Sequence, residues 1–247
     1  MVIDPVTVYV IAVIFVATLI RSTLGFGEAL VAVPLLAVFL RLSVAAPLAV
    51  LVSVSMAAII VLQDWRHVRF RSALGLVVAA LPGIPLGILL LAKGDEHVVK
   101  LILGVLIVGY SLYSLAARTA LYLPEDNWKW LLACGFLSGV LGGAYGMNGP
   151  PLAVYGVLRR WSPQHFRATL QGYFLVASLA GLVGYSTVGI WNATVTRYFV
   201  LSFPAVIVAI LIGRAMNRRM KDHGFLRSVY LGLIVVGGIL VVQAAIR

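Results

Sequence analysis

Charge is what this chain has least of. Of its 247 residues only 11% are charged and 62% are hydrophobic, whereas a soluble domain carries about 25% and about 45–50%. So little polarity cannot cover the surface of a water-soluble globule, which makes the bilayer the solvent. Acidic residues are the scarcest, eight against nineteen Lys and Arg, for a net charge of +11. The basic residues are scattered through short loops, with no basic helix or stripe, which excludes a nucleic-acid partner and fits topogenic charge beside anionic lipid. Cys134 is the single cysteine and falls within an apolar run, so an intrachain disulfide, a CxxC motif and a Cys/His zinc site are all excluded. His67, His97, His165 and His223 fall in predicted loops. No HExxH, G-x-S-x-G or P-loop occurs, which argues against an enzyme, a resident metal or cofactor, and an ATP-driven pump. The stretch Met1-Val2-Ile3-Asp4-Pro5 has no basic n-region, so we expect a mature start and no cleaved signal.

What the chain does have is long apolar runs. They lie at about 5–20, 28–40, 44–62, 72–92, 98–117, 128–144, 150–158, 168–188, 198–213 and 225–246. At about 1.5 Å per residue a run of twenty covers the roughly 30 Å of hydrocarbon. The runs 28–40 and 150–158 are too short, and each follows a Gly-rich break. The expectation is two broken or re-entrant helix pairs, with irregular backbone tolerated at depth because it is buried or lines a wet cavity. Trp65, Trp128, Trp130, Trp161 and Trp191 sit at or beside segment ends, as in an interfacial aromatic belt. Arginine and lysine place loops 63–71, 118–127, 159–167 and 214–227 in the cytoplasm, and both termini outside a plasma (inner) membrane.

The two halves echo each other. Gly25-Phe26-Gly27 answers Gly146-Met147-Asn148, Pro82 answers Pro204, and Leu103 to Gly109 answers Leu231 to Gly237. The expected fold is therefore an all-α integral membrane protein of two inverted repeats. Each repeat is a broken pair followed by three transmembrane helices, spanning 1–117 and 128–247 around a connector at 118–127, together one transport domain. Inverted repeats with interrupted helices are a secondary-transporter architecture, with the site near the midplane where the repeats meet.

The breaks supply chemistry suited to a small anion. Glycine lets backbone approach a ligand closely, and a helix N-terminus carries freed N–H groups and about half a positive charge. On this reading Gly25, Phe26, Gly27, Gly146, Met147, Asn148 and Gly149 bind substrate, the Asn148 amide donates hydrogen bonds, and Pro150-Pro151 open the following helix. The bland alternative for each glycine is close helix packing. Arg21 and Glu28 flank the first break as the ionisable residues set deepest. Arg21 could attract the anion and Glu28 could be a proton-coupling carboxylate, or the two could be a structural pair. Ser53 and Ser55, with Thr169, Gln171 and Tyr173, form a second tier, of which Ser55 and Gln171 join the substrate-binding candidates. Phe26, Tyr145 and Met147 are gating candidates, against the commoner fate of core packing. Arg167 could guard the cytoplasmic mouth or serve only as topogenic charge.

Two motifs carry a family resemblance: Leu24-Gly25-Phe26-Gly27 followed by Pro34-Leu35-Leu36, and Ser138 to Leu152, which reads SGVLGGAYGMNGPPL. Here the sequence resembles the TauE/SafE family of sulfite and organosulfonate exporters. It departs in having Glu28 where small residues are usual and Asn148 where glycine is common. The resemblance implies a secondary transporter, in the exporting direction, for small anions such as sulfite, sulfoacetate or other organosulfonates. The alternatives are an anion channel, or an uptake permease for another small oxyanion or carboxylate. The partners expected are the small anionic substrate, the lipid bilayer and, through Glu28, coupling protons; no signal for an oligomeric state is present.

Overall fold

The computed structural model describes residues 4–64, 70–116, 127–219 and 223–246, and within them the chain is helical, with eleven helices and no strand. The first half holds α1 (Pro5–Leu24), α2 (Glu28–Phe39), α3 (Leu42–Asp64), α4 (Phe70–Ala80), α5 (Gly83–Lys93) and α6 (Glu96–Ala116). The second holds α7 (Trp128–Tyr145), α8 (Gly149–Leu158), α9 (Pro163–Thr187), α10 (Ala193–Arg219) and α11 (His223–Ala245).

Local chemistry starts and stops these helices. Asp4 caps α1 by accepting from the Thr7 N–H at 2.9 Å. Asp95 does the same for α6 through His97 and Val98, and Asn192 for α10 through Val195, each filling orphan donors of a first turn. The helices outrun the apolar segments, because hydropathy marks the oily part of a helix and not its hydrogen-bonded ends. For that reason His97, His165 and His223 fall in the first turns of α6, α9 and α11 and not in loops; His67 lies outside the described residues.

Among the described residues four helices are long and apolar enough to cross a membrane: Pro5–Thr23, Leu42–Ile59, Glu96–Ala116 and Ala193–Met216. A fifth span arises if Ala73–Ala80 and Gly83–Lys93, bent by 44°, are taken together. The run at 72–92, expected as one helix, is thus interrupted at Leu81-Pro82. Proline forbids the backbone hydrogen bond there, yet Pro34, Pro47 and Pro204 stay inside α2, α3 and α10. Leu74, Val105, Leu137, Val183, Leu211 and Val235 are each more than half exposed. Apolar surface on that scale is intolerable in water and ordinary against lipid. The chain is a multi-pass membrane protein.

The helix pairing is regular. α1 lies along α10 and α7 along α4 and α5, while α3 meets α9 and α6 meets α11. Exchanging each helix of one half for its counterpart in the other leaves these pairings unchanged. The matched residues do not all do matching work, however. Gly104 packs on Gly237, whereas Gly109 and Gly232 meet nothing within 4 Å; Pro82 marks a break and Pro204 does not. The cytoplasmic assignments for 65–69, 118–126 and 220–222, together with Trp65, Arg66, Arg69 and Lys221, fall outside the described residues.

Candidate functional site

Both Gly-rich stretches are breaks. α1 ends as Gly25 enters the left-handed region (φ 90°) with its N–H donating to Arg21 O, and Gly27 (φ 97°) precedes α2. In the second half Gly146 (φ 68°) ends α7, and its N–H donates to Gly142 O at 2.8 Å. L-residues with a Cβ are strained in that conformation and glycine is not. α2 packs back against α1, and α8 against α7.

The two breaks face one cavity. It is lined by Arg21, Phe26, Gly27, Glu28, Ala29, Leu30, Ser53, Gly146, Met147, Asn148, Gly149, Pro150 and Phe174, and its volume of about 20 Å³ is room for about one water. Arg21, only 2% exposed, projects into it from the last turn of α1. Its Nη1 donates to Glu28 Oε2 at 2.5 Å and to Ser53 Oγ at 2.6 Å, and its Nη2 to Gln171 Oε1 at 3.3 Å. The Phe174 ring lies 5.0 Å from the guanidinium, within cation–π range. Gln171 Nε2 donates in turn to the Gly25 carbonyl at 3.2 Å, so the first break is held by a residue of the other half.

The two helix starts are not equivalent as donors. Val31 N bonds Gly27 O, which leaves the N–H groups of Glu28, Ala29 and Leu30 without an intrahelical partner. At α8, Pro150 and Pro151 have no N–H at all, so Gly149 supplies the free donor of that turn. Several buried polar atoms also lack partners among the described residues: Glu28 Oε1, Arg21 Nε, Asn148 Oδ1 and Thr169 Oγ1. Buried polar atoms are normally satisfied, and three of these four belong to residues lining the cavity.

Other sequence candidates are placed elsewhere. Ser55 Oγ donates to its own helix at Leu51 O, 2.9 Å, and it is Ser53 that reaches the cavity. Tyr145 is buried and donates to Val99 O at 2.9 Å. Tyr173 OH meets Ser138 Oγ at 2.9 Å, and Ser138 donates to Asn148 O at 2.6 Å; this relay ties α9 to the second break without touching the cavity. Nothing is described of the Arg167 side chain. Among the described residues no group of three His, Cys, Asp or Glu could hold a metal.

Three contributors escape sequence reasoning. Phe174 is an ordinary letter in an apolar stretch, and Ser138, though it opens the second motif, carries no mark there of its bond to the Asn148 carbonyl. Tyr185 donates to the carbonyl of Gly143 at 2.9 Å, an acceptor left over at the end of α7, and at 3.3 Å to that of Gly142, which also accepts from the Gly146 N–H. Tyr185→Phe is expected to cost about 1 kcal/mol, read as a lower thermal midpoint of purified protein, because it strips the Gly143 carbonyl of its donor.

A model of the family described as "Sulfite exporter TauE/SafE" matches residues 10–241. A curated relative from Cupriavidus necator, named "Probable sulfite/organosulfonate exporter TauE", is 25% identical over 182 residues, covering 72% of this chain and 71% of its own length. No solved structure matches the chain. With the family match running from α1 to α11, this chain belongs to the TauE/SafE family, whose members are membrane transporters and not enzymes.

Proposed function

We propose that the protein is a secondary transporter that exports small anions such as sulfite, sulfoacetate or other organosulfonates, with the anion seated between the two helix breaks. The observation that carries this reading is the shared cavity: one break from each half, and Arg21 between them. Arg21, the three free N–H groups at the start of α2 and the Gly149 N–H give an oxyanion its positive surroundings. The name of the C. necator relative supplies the substrate class and direction.

The same reading takes residues 1–117 and 128–247 as inverted repeats joined by 118–127 into one transport domain, with both termini outside. The exchangeable helix pairing supports it. The breaks then meet near the midplane, where the two repeats join. Phe26 and Met147, which line the cavity, act as gates. A cavity with room for about one water must widen to admit an ion of several heavy atoms. That supports a carrier that alternates between states over an open anion channel.

Asn148→Leu tests the seat. The variant is expected to fold, since leucine is at home in a membrane core, and to lose at least about tenfold in sulfite or sulfoacetate flux into proteoliposomes, the equivalent of about 1.4 kcal/mol of lost binding. Wild-type flux in that variant would remove the second break from the site.

A further inference from the structure

We infer that the Glu28 carboxylate is an internal stand-in for the transported anion, occupying the seat on Arg21 while the site is empty, so that an incoming anion is bound only together with a proton. The inference rests on the transporter reading above and deepens it by naming a second transported species.

The geometry is that of an occupied anion site. Glu28 Oε2 sits 2.5 Å from Arg21 Nη1, and both side chains are 2% exposed. Ser53 takes a second bond to the same nitrogen, and Gln171 holds Nη2. An oxyanion approaching Arg21 therefore finds a carboxylate already there, and the cavity beside the pair has room for about one water. Pushing an anion in beside an ionised Glu28 would set two negative charges on one buried cation, with room for only about one water to screen them. Like charges in such a site disfavour each other strongly. Adding a proton to Glu28 removes the conflict: the neutral carboxyl gives up the ion pair, and Arg21 is free for the anion. Glu28 Oε1 has no partner among the described residues, so it is available to receive that proton.

Among the described residues no other group at the site can take the proton. α1 contributes Arg21, α3 contributes Ser53, α9 contributes Gln171 and Phe174, and the second break contributes Asn148. α6 and α11, which also pack on α2, put no side chain into the cavity. Among the described residues Glu28 is thus the one carboxylate lining the cavity, and Asp, His and Lys are missing from that lining. The balance is simple. One proton from water joins a Glu28 oxygen, one anion joins Arg21, and both leave on the far side, after which Glu28 and Arg21 pair again. For a monovalent anion the cycle moves no net charge.

The test uses the full chain in proteoliposomes with a trapped pH dye, and methanesulfonate as probe, an ion that carries no proton of its own at ordinary pH. Expected in the wild type is lumenal acidification in step with methanesulfonate entry, about one proton per anion, at a rate indifferent to an imposed membrane potential. In detergent, methanesulfonate affinity read by thermal stabilisation is expected to fall about tenfold per pH unit on the alkaline side, the slope for one linked proton. Glu28→Gln keeps the shape of the protonated carboxyl but binds no proton; its anion flux is expected to become sensitive to potential and its affinity to lose the pH slope. Wild-type flux that carries current or moves no protons overturns the inference and leaves the transporter reading standing. Proton movement or a retained slope in Glu28→Gln overturns it equally. Should Glu28→Gln fail to fold, the wild-type stoichiometry and slope decide alone. No binding and no flux of methanesulfonate, sulfite or sulfoacetate would overturn the transporter reading, and this inference with it.

Discussion

Arg21→Ala is expected to cost about 3–5 kcal/mol of stability and to abolish anion flux. The loss comes less from the missing pair than from what remains. Glu28 stays 2% exposed, and a carboxylate with no counter-ion cannot stay charged there. The double variant Arg21→Ala/Glu28→Ala removes both charges, leaves Ser53 and Gln171 to satisfy each other or a water, and is expected to recover most of the lost stability. Its flux should stay at background, because the anion has lost its cation. Thermal unfolding in detergent and proteoliposome flux, measured on the same three proteins, separate the two roles. A single variant as stable as wild type would mean that Arg21 and Glu28 are not buried together; full flux in the double variant would remove Arg21 from the anion's path.

This coupling of fold to site explains what could be read from the letters alone. The breaks were legible because their signals are local: Gly25, Gly27 and Gly146 take φ values that favour glycine, and a charge pair seven residues apart in an apolar stretch has few places to go. The membrane assignment was legible for the same reason, since composition alone decides it. The face of a helix was not. Ser53 and Ser55 stand on different faces of α3, and hydropathy is blind to which one turns inward. The break at Pro82 was not legible either. A proline in an apolar run can bend, end or merely loosen a helix, and Pro34, Pro47 and Pro204 remain inside theirs. The relay from Tyr173 through Ser138 to the Asn148 carbonyl joins residues distant in sequence, so no spacing rule could find it.

A second large effect is expected away from the ion pair. α4 and α5 approach α7 so closely that a Cβ on Gly139 would meet the Ala80 carbonyl oxygen at the end of α4, and one on Gly143 would meet that of Ile84 in α5. Gly83 and Gly87 face the backbone of α7 from the other side, at Phe136 and Val140. Small residues at both faces are what allow membrane helices such contact, where apolar side chains gain nothing by leaving lipid. Gly139→Leu must push α7 off the α4–α5 pair, since the obstacle is backbone and not a side chain that can rotate away. Overpacking usually costs about 1–3 kcal/mol; here, with no soft neighbour, we expect the upper end or beyond, seen as loss of monodisperse protein on size-exclusion chromatography. The control is Gly232→Leu, where an added Cβ would meet nothing within 4 Å, which should be neutral. Any Gly139→Leu protein that survives should also transport poorly. Ser138 and Gly142 on the same helix hold the second break, through the Asn148 carbonyl and the Gly146 N–H. A shift of α7 that spares the fold would therefore still pull Asn148 and Gly149 away from Arg21. Normal flux in a visibly destabilised Gly139→Leu protein would show that the second break does not need α7 to place it.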